Sequence, residues 1–149
     1  MLFIAADHAG YPLKEELKLF LEELGLEFVD LGNEQLDPSD DYPDFAFRRA
    51  RNLLDSGEED AKGILICGTG AGMCMAANKV DGIKAAVVYN EFTALDAADH
   101  LNANVICLGG RVIDFETAKK LVKIWLETEF SNEERHLRRI EKLQDIERS

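Results

Sequence analysis

Three observations predict an α/β fold in which a parallel sheet is covered by helices on both faces. Short apolar runs alternate with helix-patterned stretches along the chain. The runs are near-continuously hydrophobic, as strands buried on both faces must be. At 149 residues, 46% of them hydrophobic and 31% charged, the chain is long enough for one domain with a real core.

The elements follow in order. Leu2-Phe3-Ile4-Ala5-Ala6 is the first strand (2–6). Leu13, Leu17, Phe20, Leu21 and Leu24 recur at helical spacing over 11–24, and Gly25 supplies the stop. A second strand follows at 27–31, then a polar loop at 32–41 that contains Pro38. Helix 42–55 leads to the apolar strand 63–67, and a helix-compatible run covers 72–79. Strand 83–89, helix 91–101, strand 104–108 and helix 114–128 complete five strands of one parallel, doubly wound sheet. The last segment, 132–148, is charged almost all round, with a thin stripe of Leu137, Ile140, Leu143 and Ile146. Such an extended C-terminal helix either reaches onto a second subunit or lies solvated on its own domain.

Composition excludes several classes. No apolar run approaches the roughly 18 residues of a membrane helix. The N-terminus lacks the basic start of a secretory signal, so a cytoplasmic location is expected. Cys67, Cys74 and Cys107 show no Cys-x-x-Cys spacing, which argues against a disulfide framework, a zinc cluster or a thiol oxidoreductase. His8, His100 and His136 show no metal-ligand spacing, so no metal or other cofactor is expected. A net charge of −12 argues against a nucleic-acid partner, yet Arg135-His136-Leu137-Arg138-Arg139 gathers cations locally.

In doubly wound sheets ligands sit beyond the carboxyl ends of the strands. Asp7-His8, Cys67-Gly68-Thr69-Gly70-Ala71-Gly72, Tyr89-Asn90 and Gly109-Gly110-Arg111 all fall there. The run from Cys67 to Gly72 places a thiol at a strand tip that opens into a helix. Backbone N–H groups without partners gather at such a tip, and a thiolate is stabilised there. The segment thus offers a proton acceptor and donors for a developing oxyanion. It lacks the full spacing of a dinucleotide fingerprint and the Gly-Lys-Ser/Thr of a P-loop. The competing reading is a tight structural turn beside an inert cysteine, a description that suits Cys107 and Cys74 better than Cys67. His100 reads either as a helix C-terminal charge partner or as a proton carrier. Arg135 and Arg139, four apart, share a helix face. They form either a phosphate clamp or a surface stripe paired with acids such as Glu133.

Taken together, the ordered motifs resemble the ribose-5-phosphate isomerase B family, within the group that includes galactose-6-phosphate isomerase subunits. The resemblance runs nearly end to end. It rests on Ala6-Asp7-His8-Ala9-Gly10, Asp41-Tyr42-Pro43-Asp44, the run from Gly63 to Met73, Ala76-Ala77-Asn78-Lys79, Asn102-Ala103-Asn104-Val105-Ile106, Gly110-Arg111, and Arg135-His136 with Arg139.

The resemblance implies a Rossmann-like single domain over 1–149 and a homodimer, or a tetramer built from dimers, with active sites shared between subunits. It implies metal-free interconversion of D-ribose 5-phosphate and D-ribulose 5-phosphate, a small sugar-phosphate substrate. Cys67 is then the base that moves a proton between C1 and C2. The amides of Gly68, Gly70, Ala71 and Gly72, with the Thr69 hydroxyl, hold the enediolate. His100 assists ring opening, with Asp7 nearby. His8, Arg111, Arg135 and Arg139 bind the phosphate, the last two from the partner chain, and Tyr42 lines the pocket. One departure bears on substrate choice: the isomerase pattern has Asn after the histidine, where this chain has Leu101. Alternatives are therefore the same chemistry on a six-carbon sugar phosphate (allose 6-phosphate or galactose 6-phosphate), or a non-catalytic sugar-phosphate-binding module.

Overall fold

The computed structural model describes residues 1–149. Its elements run β1 (Leu2–Ala6), α1 (Tyr11–Glu23), β2 (Phe28–Asp30), α2 (Tyr42–Asp55), β3 (Lys62–Cys67), α3 (Ala71–Ala77), β4 (Ala85–Val87), α4 (Glu91–Asp99), β5 (Val105–Gly109), α5 (Phe115–Glu127) and α6 (Glu134–Arg148). The five strands form one all-parallel sheet in the order β2-β1-β3-β5-β4. Every expected strand and helix is present, its ends shifted by at most two residues.

Strand alternation divides the core in two. Leu2, Ile4 and Ala6 of β1 pack with Leu13, Leu17 and Leu21 of α1 and with the buried residues of α4 and α5. Phe3 and Ala5 face the other way, against Phe45, Ala46, Ala50 and Leu53 of α2 and Met73 and Ala77 of α3. The three middle strands are buried almost throughout, while β2 and β4 at the edges are only half-buried. Near-continuous hydrophobicity therefore tracks the centre of the sheet and weakens at its margins. Trp125 of α5 is fully buried and donates its Nε1–H to the Ala103 carbonyl at 3.2 Å. Truncating such a residue costs about 3–5 kcal/mol.

Helix α1 ends as expected. Gly25 takes φ +71°, its N–H bonds Glu22 O at 2.9 Å, and Leu26 N–H reaches back to Leu21 O at 3.0 Å. That is a Schellman closure, which favours glycine because it needs a left-handed residue.

Chain direction then sorts the candidate residues. In a parallel sheet, each helix that leaves a strand's carboxyl end must return to the amino edge before the next strand begins. Helix α4 does so between β4 and β5, carrying His100 away from the edge where Cys67 sits. Around this amino edge Asn104 N–H bonds Lys84 O at 3.1 Å, joining the starts of β5 and β4. Helix α6 attaches at the same end. Ser131 N–H bonds Asp99 O at 3.1 Å, and Gly82 N–H bonds the Glu147 carboxylate at 3.1 Å. Of the thin stripe on α6 only Ile140 is buried, while Leu137, Leu143 and Ile146 remain exposed.

Candidate active site

Three loops meet at the carboxyl edge, and glycines occupy their crossing points. A Cβ on Gly10 would lie 2.5 Å from Ile66 O, one on Gly109 2.8 Å from Thr69 C, and one on Gly110 2.8 Å from Ala9 O. Backbone bonds lock the arrangement: Asp7 N–H to Ile66 O at 3.1 Å, Gly110 N–H to Cys67 O at 2.8 Å, and Arg111 N–H to Gly68 O at 3.0 Å.

Cys67 lies at the tip of β3 and is 4% exposed. Its Sγ accepts the Gly70 N–H at 3.1 Å. Gly70 caps α3 with φ +84°, and a Cβ there would also stand 3.1 Å from Cys107 O. The left-handed turn folds the chain back over the sulfur. Ala71 N–H bonds Thr69 Oγ1 at 3.2 Å. The N–H groups of Gly68, Thr69, Gly72 and Met73 have no acceptor in the chain. The tip thus carries a thiol and four open backbone donors. Tyr42, at the start of α2, lays its ring on Gly72, where a Cβ would meet the ring at 2.7 Å. Arg111 is exposed, with its Nη1 3.4 Å from where a Cβ on Gly68 would lie.

Asp7 and His8 follow β1. Asp7 is buried, and its Oδ1 accepts the N–H groups of Ala9 at 3.0 Å and Gly10 at 3.1 Å, so it holds the turn. Asp40 accepts the His8 N–H at 2.9 Å and pairs with His8 Nδ1 at 2.7 Å, both through Oδ1. This raises the His8 pKa above its usual value; the Asp40 hydrogen bond is the main cause, with the charge of Asp7 adding and that of Arg111 opposing. Asp7, His8 and Asp40 offer ligand atoms within 4.8 Å of one another. Their inner oxygens already accept hydrogen bonds from the loop, which is a less apt arrangement for a cation. Asn90 also lies at this edge, but its side chain accepts Thr93 N–H at 2.8 Å and caps α4.

The remaining predicted residues lie elsewhere. His100 caps the end of α4, pairs with Asp96 at 2.8 Å and Asp99 at 3.2 Å, and stacks on His136 with ring centroids 4.1 Å apart. His136 is buried, with Nδ1 2.7 Å from Ser131 Oγ, and its Nε2 accepts Arg135 Nε–H at 3.2 Å. Arg135 also pairs with Glu133 at 3.0 Å, so the surface-pairing alternative is partly met. Arg139 is exposed and makes no ion pair. Five residues of β5 at ~3.3 Å each separate the two edges by roughly 16 Å. Within one chain, His100, Arg135 and Arg139 therefore do not converge with Cys67.

Leu101 is exposed and lines a groove of 310 Å³ with Leu143 and Ile146 of α6. Asn102 takes φ +45° at a turn, and Asn104 bonds Lys84 N–H at 2.8 Å and Gly82 O at 2.9 Å. Two further residues bear on the site. Asp40 is one: it stands in a polar loop, and nothing in its local pattern singles it out. Cys74 is the other: it is half-buried, and its Sγ donates to the Ala85 carbonyl at 3.3 Å. The neighbouring Cys107 thiol lowers its pKa to about 7, while Cys107, fully buried, is raised well above the ordinary thiol value. Cys107 fits the inert description.

Comparison with known proteins gives concordant matches. The family described as Ribose/Galactose Isomerase matches residues 2–143. A probable ribose-5-phosphate isomerase B of Mycoplasma genitalium is 46% identical over 142 residues, covering 95% of this chain and 92% of that one. A D-erythrulose-4-phosphate isomerase of Pectobacterium atrosepticum is 41% identical, covering 85% and 82%. The crystal structure of Mycoplasma genitalium ribose-5-phosphate isomerase B with bound ribulose-5-phosphate superposes with a TM-score of 0.93 at 44% identity, covering 99% and 96%.

Proposed function

The chain belongs to the ribose/galactose isomerase family, and on that premise we propose that it interconverts D-ribose 5-phosphate and D-ribulose 5-phosphate with Cys67 as the base. The observation that carries this reading is the Cys67 sulfur, held 3.1 Å from Gly70 N–H on a loop with unpaired backbone donors.

The chemistry follows from that geometry. In the open-chain aldose, the Cys67 thiolate takes the proton from C2. The electron pair moves onto the carbonyl, and an enediolate forms with its charge on oxygen. The open N–H groups of the loop, with Thr69, take up that charge. Each such donor is worth roughly 3–4 kcal/mol of transition-state stabilisation when its removal is tested by mutation. Return of the proton from sulfur to C1, while the O2 hydroxyl proton passes to O1, gives the ketose. Since N–H dipoles carry the oxyanion, the proton transfer needs no metal. Asp7 shapes the turn that presents His8, and Tyr42 walls the pocket above Gly72.

The phosphate needs cations, and the carboxyl edge offers His8 and Arg111. The other cations, Arg135 and Arg139, stand at the opposite edge together with His100. A homodimer in which one protomer's amino edge meets its partner's carboxyl edge joins the two halves. His100 from one copy then assists ring opening above Cys67 of the other, and Arg135 and Arg139 close on the phosphate. Supporting an interface, Met75, Phe92 and Leu95 on α3 and α4 are exposed apolar side chains. On this reading residues 1–149 act as one isomerase domain, with α6 contributing to the partner's site. No helix is long and apolar enough to cross a membrane, and the substrate class suits a cytoplasmic enzyme.

The test is ribulose 5-phosphate formation from ribose 5-phosphate in wild type and Cys67→Ala, with and without chelator. Loss of a general base costs about 10²–10⁴-fold in kcat. Unchanged turnover in Cys67→Ala, or abolition by chelator, overturns the mechanism. A faster turnover of allose 6-phosphate or galactose 6-phosphate than of ribose 5-phosphate transfers the same chemistry to the six-carbon substrate.

A further inference from the structure

Loop 31–41 holds the one carboxylate that grips a proposed phosphate ligand, and the loop is itself tied into the core. Lys14 of α1 is fully buried and donates to Asp30 at 2.9 and 3.1 Å and to the Asn33 carbonyl at 2.9 Å. Asn33 Nδ2 in turn donates to Asp40 Oδ2 at 3.2 Å. Asp40 Oδ1 receives both the backbone N–H and the ring Nδ1 of His8. The Asp40 side chain is 8% exposed, so water competes little for these bonds. His8 Nε2 has no partner in the chain. An imidazole fixed through Nδ1 by a carboxylate has its other nitrogen oriented, which is how second partners commonly aim a histidine.

We propose that Asp40 is a positioning residue for substrate phosphate: it fixes the His8 ring through Nδ1 and directs Nε2–H at the phosphate oxygens. The proposal rests on the reading of His8 as a phosphate ligand. The charged groups around His8 are Asp7 on its own turn, Asp37 and Asp40 on the loop, and Arg111 from the β5–α5 connection. Three of them are acids, so the imidazolium is favoured here over the neutral ring. Asp40 thereby favours a cationic His8 facing the phosphate. The chain Lys14–Asn33–Asp40–His8 also makes loop 31–41 part of the phosphate subsite although it touches no substrate.

Asp40→Asn separates charge from shape, because the amide oxygen still accepts from His8. KM for ribose 5-phosphate and the inhibition constant of inorganic phosphate are measured from pH 5.5 to 8.5, beside a ¹⁵N NMR titration of the His8 ring. The expected result is a KM about tenfold higher at pH 8, converging on wild type near pH 5.5, with kcat unchanged and the His8 titration midpoint moved down. Parallel KM profiles, or an unmoved His8 midpoint, overturn the proposal. His8→Asn tells its failure from failure of the underlying reading. A raised KM in His8→Asn beside a wild-type profile in Asp40→Asn rejects Asp40 alone. An unchanged KM in His8→Asn rejects His8 as a phosphate ligand, and the role of Asp40 with it.

Discussion

The two edges of the sheet solve different problems with different materials. At the carboxyl edge, reactive groups are set by backbone: glycines at loop crossings, a left-handed cap at Gly70, and N–H groups left open around Cys67. At the amino edge, His100 ends α4 and Arg135 and Arg139 lie on the first two turns of α6, all half-exposed or exposed. A developing oxyanion needs donors that do not reorganise during the reaction. A phosphate already carries its charge and accepts longer, adjustable cations. On the proposed reading each edge supplies part of one site: Cys67 with His8 and Arg111 at the first, His100 with Arg135 and Arg139 at the second. The most forceful way to break this division is to inactivate each edge on a different chain. Cys67→Ala and Arg139→Ala proteins, each impaired alone, are mixed under conditions that exchange subunits. Half of a random mixture is heterodimer with one intact site of two, so about a quarter of wild-type activity returns. No recovery after exchange verified by mass spectrometry would show that the edges do not meet across subunits.

The rigidity of the carboxyl edge gives the next largest effect. Gly70 and Gly25 both hold positive φ, +84° and +71°. A Cβ on Gly70 would press on the Cys107–Leu108 backbone at 3.1 Å, whereas nothing lies within 4 Å of one on Gly25. Gly25→Ala meets only the left-handed penalty of about 1–2 kcal/mol and leaves kcat unchanged. Gly70→Ala adds a backbone clash beside the sulfur, so its melting temperature falls further and kcat falls with it. Equal melting temperatures and equal kcat for the two variants would mean that the loop is not held by its glycines.

Legibility in the sequence divides along the same line. The carboxyl-edge residues are consecutive: Cys67 to Gly72 could be read as a strand tip opening into a helix because all the determinants lie within six positions. The five strands and the helices were equally readable, since each depends on local periodicity. His100 was legible as a helix end, and the sheet is parallel, so its place at the far edge follows from chain direction. Its proposed role does not, because on that reading the complementary half lies on another copy. Asp40 was not legible at all. It meets His8 across 32 positions, and an aspartate in a polar loop carries no local signal. The lowered Cys74 pKa is likewise invisible locally, because its main cause is Cys107 on another element.

A smaller effect sharpens the account of the amino edge. Arg135 is tied to Glu133 and His136, and Arg139 is tied to nothing within its own chain. An exposed pair such as Arg135–Glu133 is worth at most about 1 kcal/mol. Arg139→Ala therefore leaves the melting temperature nearly unchanged. It raises KM by about 10–100-fold if its charged hydrogen bonds to phosphate contribute about 1.5–3 kcal/mol. An unchanged KM would leave Arg135 as the only arginine of α6 in the capture role.

The smallest effect concerns stability at the carboxyl edge, and its sign is fixed by the direction of one shift. Asp40 raises the His8 pKa above the ordinary value near 6.5. The folded state therefore binds the proton more tightly than the unfolded chain does. Stability from this pair is fully present below the unfolded pKa and fades as pH rises through the folded one. Removing the Asp40 charge should lower the melting temperature at acid pH and have progressively less effect as pH rises through the folded pKa. His8 is partly exposed, with 32% of its side chain accessible, so solvent screening keeps the difference small. The phosphate subsite thus predicts opposite pH trends for its two readouts: Asp40→Asn loses stability on the acid side and substrate affinity on the alkaline side. A melting difference that grew toward alkaline pH would contradict a cationic His8 held by Asp40.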